Sequence, residues 1–145
     1  MKARKVEGLD PAAPLGPNAA RIVQTRLDEL RSLAALALDP RAKESQHDAR
    51  IAAKRLRYVL EIVAPCVGHE AEPARRAAKE LQSILGDLHD CDLMLPRVEH
   101  VPSLARALRE RRERCFRSFV ERWQAEASKG TWASLGQALS GSTMG

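Results

Sequence analysis

Residues 46–61 read QHDARIAAKRLRYVLE and place His47, Arg50, Lys54 and Arg57 at helical spacing. On a wheel of about 100° per residue with His47 at zero, Arg50 falls near 300°, Lys54 near 340°, Arg57 near 280° and Tyr58 near 20°. Ala52, Leu56, Leu60 and Val63 gather between about 140° and 220°, so a basic ridge opposes an apolar face. Arg55, near about 80°, lies off the ridge. The ridge is roughly 15 Å long at the helical rise, which suits an extended anion better than one phosphate. Arginine offers a bidentate fork to phosphate oxygens and lysine a mobile point charge. His47 belongs to the first turn, where free backbone N–H groups favour anions. The plain alternative is a solvated helix face with Glu61 paired to Arg57 at i, i+4.

More cations lie downstream. Arg75, Lys79 and Gln82 share one side of a third helical segment, and Arg106, Arg109, Arg111, Arg112, Arg114, Arg117 and Arg122 crowd a fourth. Most of those in the fourth interleave with Glu110, Glu113 and Glu121 and read as solvated. Arg112 instead projects into the apolar stripe of Leu104, Leu108, Cys115, Phe116, Phe119 and Trp123. A buried unpaired guanidinium is costly, so Arg112 requires an acid partner or a bound anion.

The elements that must position these groups are helices. The chain has 145 residues, 44% hydrophobic, 30% charged and 3% aromatic, which fits one soluble helical domain. Prolines divide it. Residues 1–17 form an irregular leader. Helices are expected over Asn18–Leu38, from Ser45 to near Ala64, from Pro73 to just before Pro96, and from Ser103 to about Ala127. Ser45 and Asp48 have capping-box spacing, and Pro65 is expected to stop the second helix. Gly86 marks a kink or a close approach inside the third. A short fifth helix around Thr131–Leu139 fits the pattern. The expected architecture is all-α: an antiparallel four-helix bundle over 18–128, with a short helix and flexible tail over 129–145.

Net charge is +5 and the pI about 9.5, which admits a polyanionic partner. No apolar run approaches the roughly 18 residues of a membrane span, and the N-terminus lacks a secretory h-region. Cys66, Cys91 and Cys115 form no CxxC pair, so a reducing cytoplasm is expected. There is no GxxxxGK[ST] and no GxGxxG, and no cofactor is called for. His89-Asp90-Cys91-Asp92 holds four ligand types in a row, but consecutive helical residues point apart and do not converge on a metal. A Cys91–His89 nucleophile pair lacks an orienting third group and an oxyanion hole.

The segment HDARIAAKRLRYVLE (47–61) followed by KELQSILGDLHDCDLML (79–95) resembles the CHAD domain, an all-helical domain named for its histidines. The paired pattern H-x-x-R-x-x-x-K-R-L-R-Y and L-Q-x-x-L-G-x-x-x-D carries the resemblance, which spans roughly Leu9 to Trp123. It implies non-enzymatic binding of inorganic polyphosphate through a basic groove. The ligand residues it implies are His47, Arg50, Lys54, Arg55, Arg57, Tyr58, Lys79 and Gln82. Arg112 is added from its projection into the stripe, and Asp90 matches the motif acid expected to orient a cation. The family usually carries two such bundles related by a pseudo-twofold, so one copy here implies a homodimer. The resemblance also implies a place beside polyphosphate granules in the cytoplasm.

Two other classes stay open. A nucleic-acid-binding bundle is weakened by scarce aromatics and by a ridge without Asn or Gln for base readout. An enzyme on phosphorylated substrates, or an accessory module for one, would need metal-binding carboxylates, for which only Asp87, Asp90 and Asp92 offer themselves.

Overall fold

The computed structural model describes residues 1–144, with side chains through residue 141. Five helices follow in order: α1 (Leu15–Ala37), α2 (Lys43–Val67), α3 (Ala71–Val98), α4 (Pro102–Lys129) and α5 (Thr131–Met144). No strand occurs among the described residues.

The helix ends follow backbone accounting more than proline punctuation. Pro14 precedes α1 and Pro17 falls in its first turn, where a missing N–H forfeits no intrahelical bond. The helix therefore starts three residues before Asn18. Asn18 instead ties the leader down: its side chain donates to the Asp10 carbonyl (2.6 Å) and accepts from the Asp10 N–H (2.9 Å).

The Ser45–Asp48 capping box does not form. A tight turn at Asp39–Ala42 leads straight into α2 from Ala42, with no side-chain cap. Pro65 and Pro96 both lie inside helices, correcting the expected stops. Each removes one donor near a solvent-facing end. Continuing α2 past Pro65 buries Val67 in the core.

α1 packs along α2, α2 along α3, and α3 along α4. The contact that would close a four-helix ring, α1 with α4, is not among the extensive ones. α5 lies chiefly against α1 and also touches α2, α3 and α4. Trp132, Leu135 and Leu139 of α5 are buried with Phe119 of α4 in the common core. The observed architecture is thus a five-helix bundle. The fifth helix runs past the expected Leu139 to Met144, and the apolar positions that seat it in the core, Trp132, Leu135 and Leu139, all fall within the expected span. The rest of the core is alanine- and leucine-rich, with Ala49, Ala52, Ala53 and Leu56 of α2 meeting Ala74, Ala77, Ala78, Leu81 and Leu85 of α3. Small residues at that seam let the two helices approach closely. No helix among the described residues is long and apolar enough to cross a membrane.

Candidate functional site in the groove between the second and third helices

Three contacts pair rising positions on α2 with falling positions on α3. His47 stacks on His89, with centroids 4.2 Å apart and planes at 21°. Arg50 lies across Gly86, where a Cβ would meet its Nε at 3.3 Å. Arg57 Nε donates to Gln82 Oε1 at 2.8 Å. Between them runs an open groove of about 310 Å³, lined by Arg50, Arg57, Lys79, Gln82, Ser83, Gly86, Asp87 and Asp90.

The cations divide by what already holds them. Arg57 donates to Glu61 (2.9 Å) as well as to Gln82, and it lies 4.3 Å from the Tyr58 ring centroid. Arg75 is bound to Glu72, with Glu61 at 3.8 Å, and the hydrogen bond from Arg75 holds the Glu72 carboxyl down at about 2. Arg55 faces away from the groove: it sits 3.6 Å from the buried Glu29 and donates to the Met1 carbonyl at 2.7 Å. Arg112 is likewise elsewhere, between α3 and α4. It is paired with Asp92 and donates to Gln46 Oε1 (2.7 Å) and the Pro40 carbonyl (3.0 Å). The acid partner required for Arg112 exists, and the structure does not bring this residue to the groove.

Arg50, Lys54 and Lys79 are different. Among the described residues none of them has a carboxylate within ion-pair distance. Arg50 Nε is buried and has no hydrogen-bond partner. Lys54 Nζ lies 5.8 Å from the Tyr58 ring centroid, at the outer limit of a cation–π contact. The exposed Tyr58 ring thus has both Lys54 and Arg57 within cation–π range, outside the residues that line the groove.

His47 closes one end. Burial lowers its pKa first, and the neighbouring His89 and Arg50 lower it further, against a smaller opposing effect of Asp48. The imidazole is neutral at neutral pH and its buried Nδ1 has no partner. It does not add a standing charge to the ridge.

Asp90 lines the groove but makes no ion pair or hydrogen bond among the described residues, so the orienting role expected of it has no contact behind it. The run 89–92 splits four ways: His89 stacks on His47, Asp90 faces the groove, Cys91 is buried, and Asp92 binds Arg112. Burial pushes the Cys91 thiol up, the wrong direction for a nucleophile.

Ser83 was not singled out, Gly86 was expected only as a kink or a close approach, and Asp87 and His89 only as metal or nucleophile candidates, yet all four belong to the site. A signal for two of them was present. Arg75, Lys79, Gln82, Gly86 and His89 follow one another at three- and four-residue steps, which is one helix face. Extending that face past Gln82 finds both the clearance and the stacking partner.

No curated protein and no solved structure matches the chain. The family model of the CHAD domain matches residues 2–99, which spans α1, α2, all of α3 and both sides of the groove. With its histidine-to-tyrosine motif on α2 facing its glutamine–glycine motif on α3, the chain belongs to the CHAD domain family.

Proposed function

We propose that the protein binds inorganic polyphosphate in the α2–α3 groove and does no chemistry on it. One observation carries this reading: Arg50 and Lys79 line the groove, and Lys54 stands one turn from Arg50 on α2, all without an ion-paired carboxylate among the described residues, while Arg55, Arg57, Arg75 and Arg112 are neutralised. A bound phosphate would satisfy the orphaned Arg50 Nε through a charge-assisted hydrogen bond. Lys54 and Lys79 would follow the chain as mobile point charges. Arg57, held in place by Gln82, Glu61 and Tyr58, would offer its remaining N–H edge without losing further freedom.

Pairing of two copies to rebuild a two-bundle unit forms part of this proposal. Exposed Leu93, Met94 and Leu104 on α3 and α4 supply apolar surface for it. Light scattering that reads a monomer with full polyphosphate affinity would refute the pairing alone. A cytoplasmic place near polyphosphate granules follows from the ligand.

The second reading, nucleic-acid phosphate binding, uses the same cations. Titration of long-chain polyphosphate and of duplex DNA at equal phosphate concentration and equal salt separates the two. The proposal requires tighter polyphosphate binding, with log affinity falling linearly as log salt rises. Equal binding of both polymers would reduce the groove to a generic basic surface.

A further inference from the structure

We propose that the groove between α3 and α4 is a second phosphate-binding track that continues the first, so that a long condensed phosphate chain crosses α3 and occupies both. This rests on the reading above and extends it to residues outside the matched family segment, which ends at residue 99.

Four observations carry it. First, the two grooves abut. The α3–α4 groove, also about 310 Å³, is lined by Ile84, Asp87, Arg111, Arg114, Cys115 and Ser118, and Asp87 lines both. Packed helices lie about 8–10 Å apart, so only the width of α3 separates the tracks. Second, α4 carries eight Arg and Lys against four Glu, net +4 of the chain's +5. Third, the interleaved acids do not neutralise the cations that reach this groove. Arg114 has no hydrogen bond or ion pair among the described residues, although Glu110 stands one turn away. Fourth, Arg111 is held only loosely: Asp87 is 3.9 Å away, and both side chains are more than half exposed, at 55% and 53%. Such a pair is weak and easily exchanged for a phosphate.

Asp87 is then the switch point between the tracks. In the free protein it faces Arg111. A chain crossing α3 takes its place at Arg111 and meets Arg114 and the Ser118 hydroxyl beyond. Tripolyphosphate has too few phosphates to fill both tracks and is expected at the first, where the buried Arg50 Nε lacks a partner, so the two ligands report on different residues.

The test titrates tripolyphosphate and long-chain polyphosphate against wild type, Arg111→Ala/Arg114→Ala and Asp87→Asn, with duplex DNA as a third ligand. Losing two charge-assisted contacts should weaken long-chain binding by roughly tenfold or more in the double variant and make its salt slope shallower by about one to two. Tripolyphosphate affinity should stay within about twofold, well inside the tenfold expected of a lost charged contact. Asp87→Asn should bind the long chain more tightly than wild type. Long-chain polyphosphate, but not tripolyphosphate, should slow alkylation of Cys115, read by peptide mass spectrometry. Unchanged long-chain affinity, equal loss for both ligands, or loss confined to DNA would overturn the second track. If Arg50→Ala/Lys79→Ala leaves both phosphate ligands bound, the first track fails and the second falls with it.

Discussion

Arg50 of α2 lies across Gly86 of α3, and the missing side chain at 86 is what gives it room, since a Cβ there would meet Arg50 Nε at 3.3 Å. A glycine in mid-helix costs roughly 1 kcal/mol relative to alanine. Gly86→Ala is therefore expected to move stability and binding in opposite directions. Thermal or denaturant unfolding should show stability unchanged or raised by up to about 1 kcal/mol. Polyphosphate affinity should fall several-fold as Arg50 is displaced. In an Arg50→Ala background the same change should cost no further affinity, the signature of two coupled residues.

Arg112 is held by partners inside the fold and lies outside the α2–α3 groove. With Asp92 it forms a largely buried pair, the side chains 14% and 12% exposed. Arg112→Ala leaves that carboxylate with only the exposed Lys43, 4.0 Å away, and strips Gln46 Oε1 of its donor, and roughly 3 kcal/mol of stability should be lost in denaturant unfolding. Polyphosphate affinity measured well below the midpoint should be unchanged. A tenfold loss of affinity at full folding would return Arg112 to the binding site.

Burial of His47 against His89 should make stability respond to pH, and with it the proposed polyanion binding. The His47 pKa is lowered in the folded chain, so the unfolded chain binds more protons as pH falls below the ordinary value of 6.5. The stabilising contribution of neutral His47 is complete above that value and is lost as pH drops through the folded pKa. Melting temperature should fall on acidification from about pH 7.5 to 5.5, and His47→Phe should flatten that slope. A polyanion beside Arg50 favours the charged imidazole, so binding near pH 6 should take up protons. Calorimetry in two buffers of different ionisation enthalpy reads that uptake, and a null result in both would contradict the link.

α5 is a core element. Trp132, Leu135 and Leu139 are at most 3% exposed. Leu135→Ala should cost about 2–5 kcal/mol in denaturant unfolding. A loss below about 0.5 kcal/mol would mean that α5 is a detachable tail.

Much of the molecule was legible from periodicity, and the remainder was set by partners distant in the chain. The ridge of His47, Arg50, Lys54 and Arg57 and the apolar face behind it follow from spacing alone, and Leu56 and Leu60 are fully buried as that spacing requires. The continuation of α2 through Pro65 and α3 through Pro96 was not legible. In α2 the local preference at Pro65 was outweighed by burial of the turn beyond, as Val67 shows, whereas α3 runs only two residues past Pro96 and buries none of them. Which arginines are free was also not legible, because their partners come from elsewhere. Glu29 of α1 takes Arg55, while Asp92 of α3 and Gln46 of α2 take Arg112. A helical wheel places side chains on a face, and only tertiary packing decides which of them are already neutralised.

The measurement that bears most directly on the account is calorimetric titration of long-chain polyphosphate into wild type, Arg50→Ala/Lys79→Ala, and the charge-matched control Arg31→Ala/Arg97→Ala. Both double variants lose two surface-accessible cations, and only the first loses them from the groove. The account predicts that the groove variant binds about ten- to a hundredfold more weakly while the control stays within about threefold of wild type. Equal losses in the two variants would show that net charge, and no particular groove, holds the polyanion.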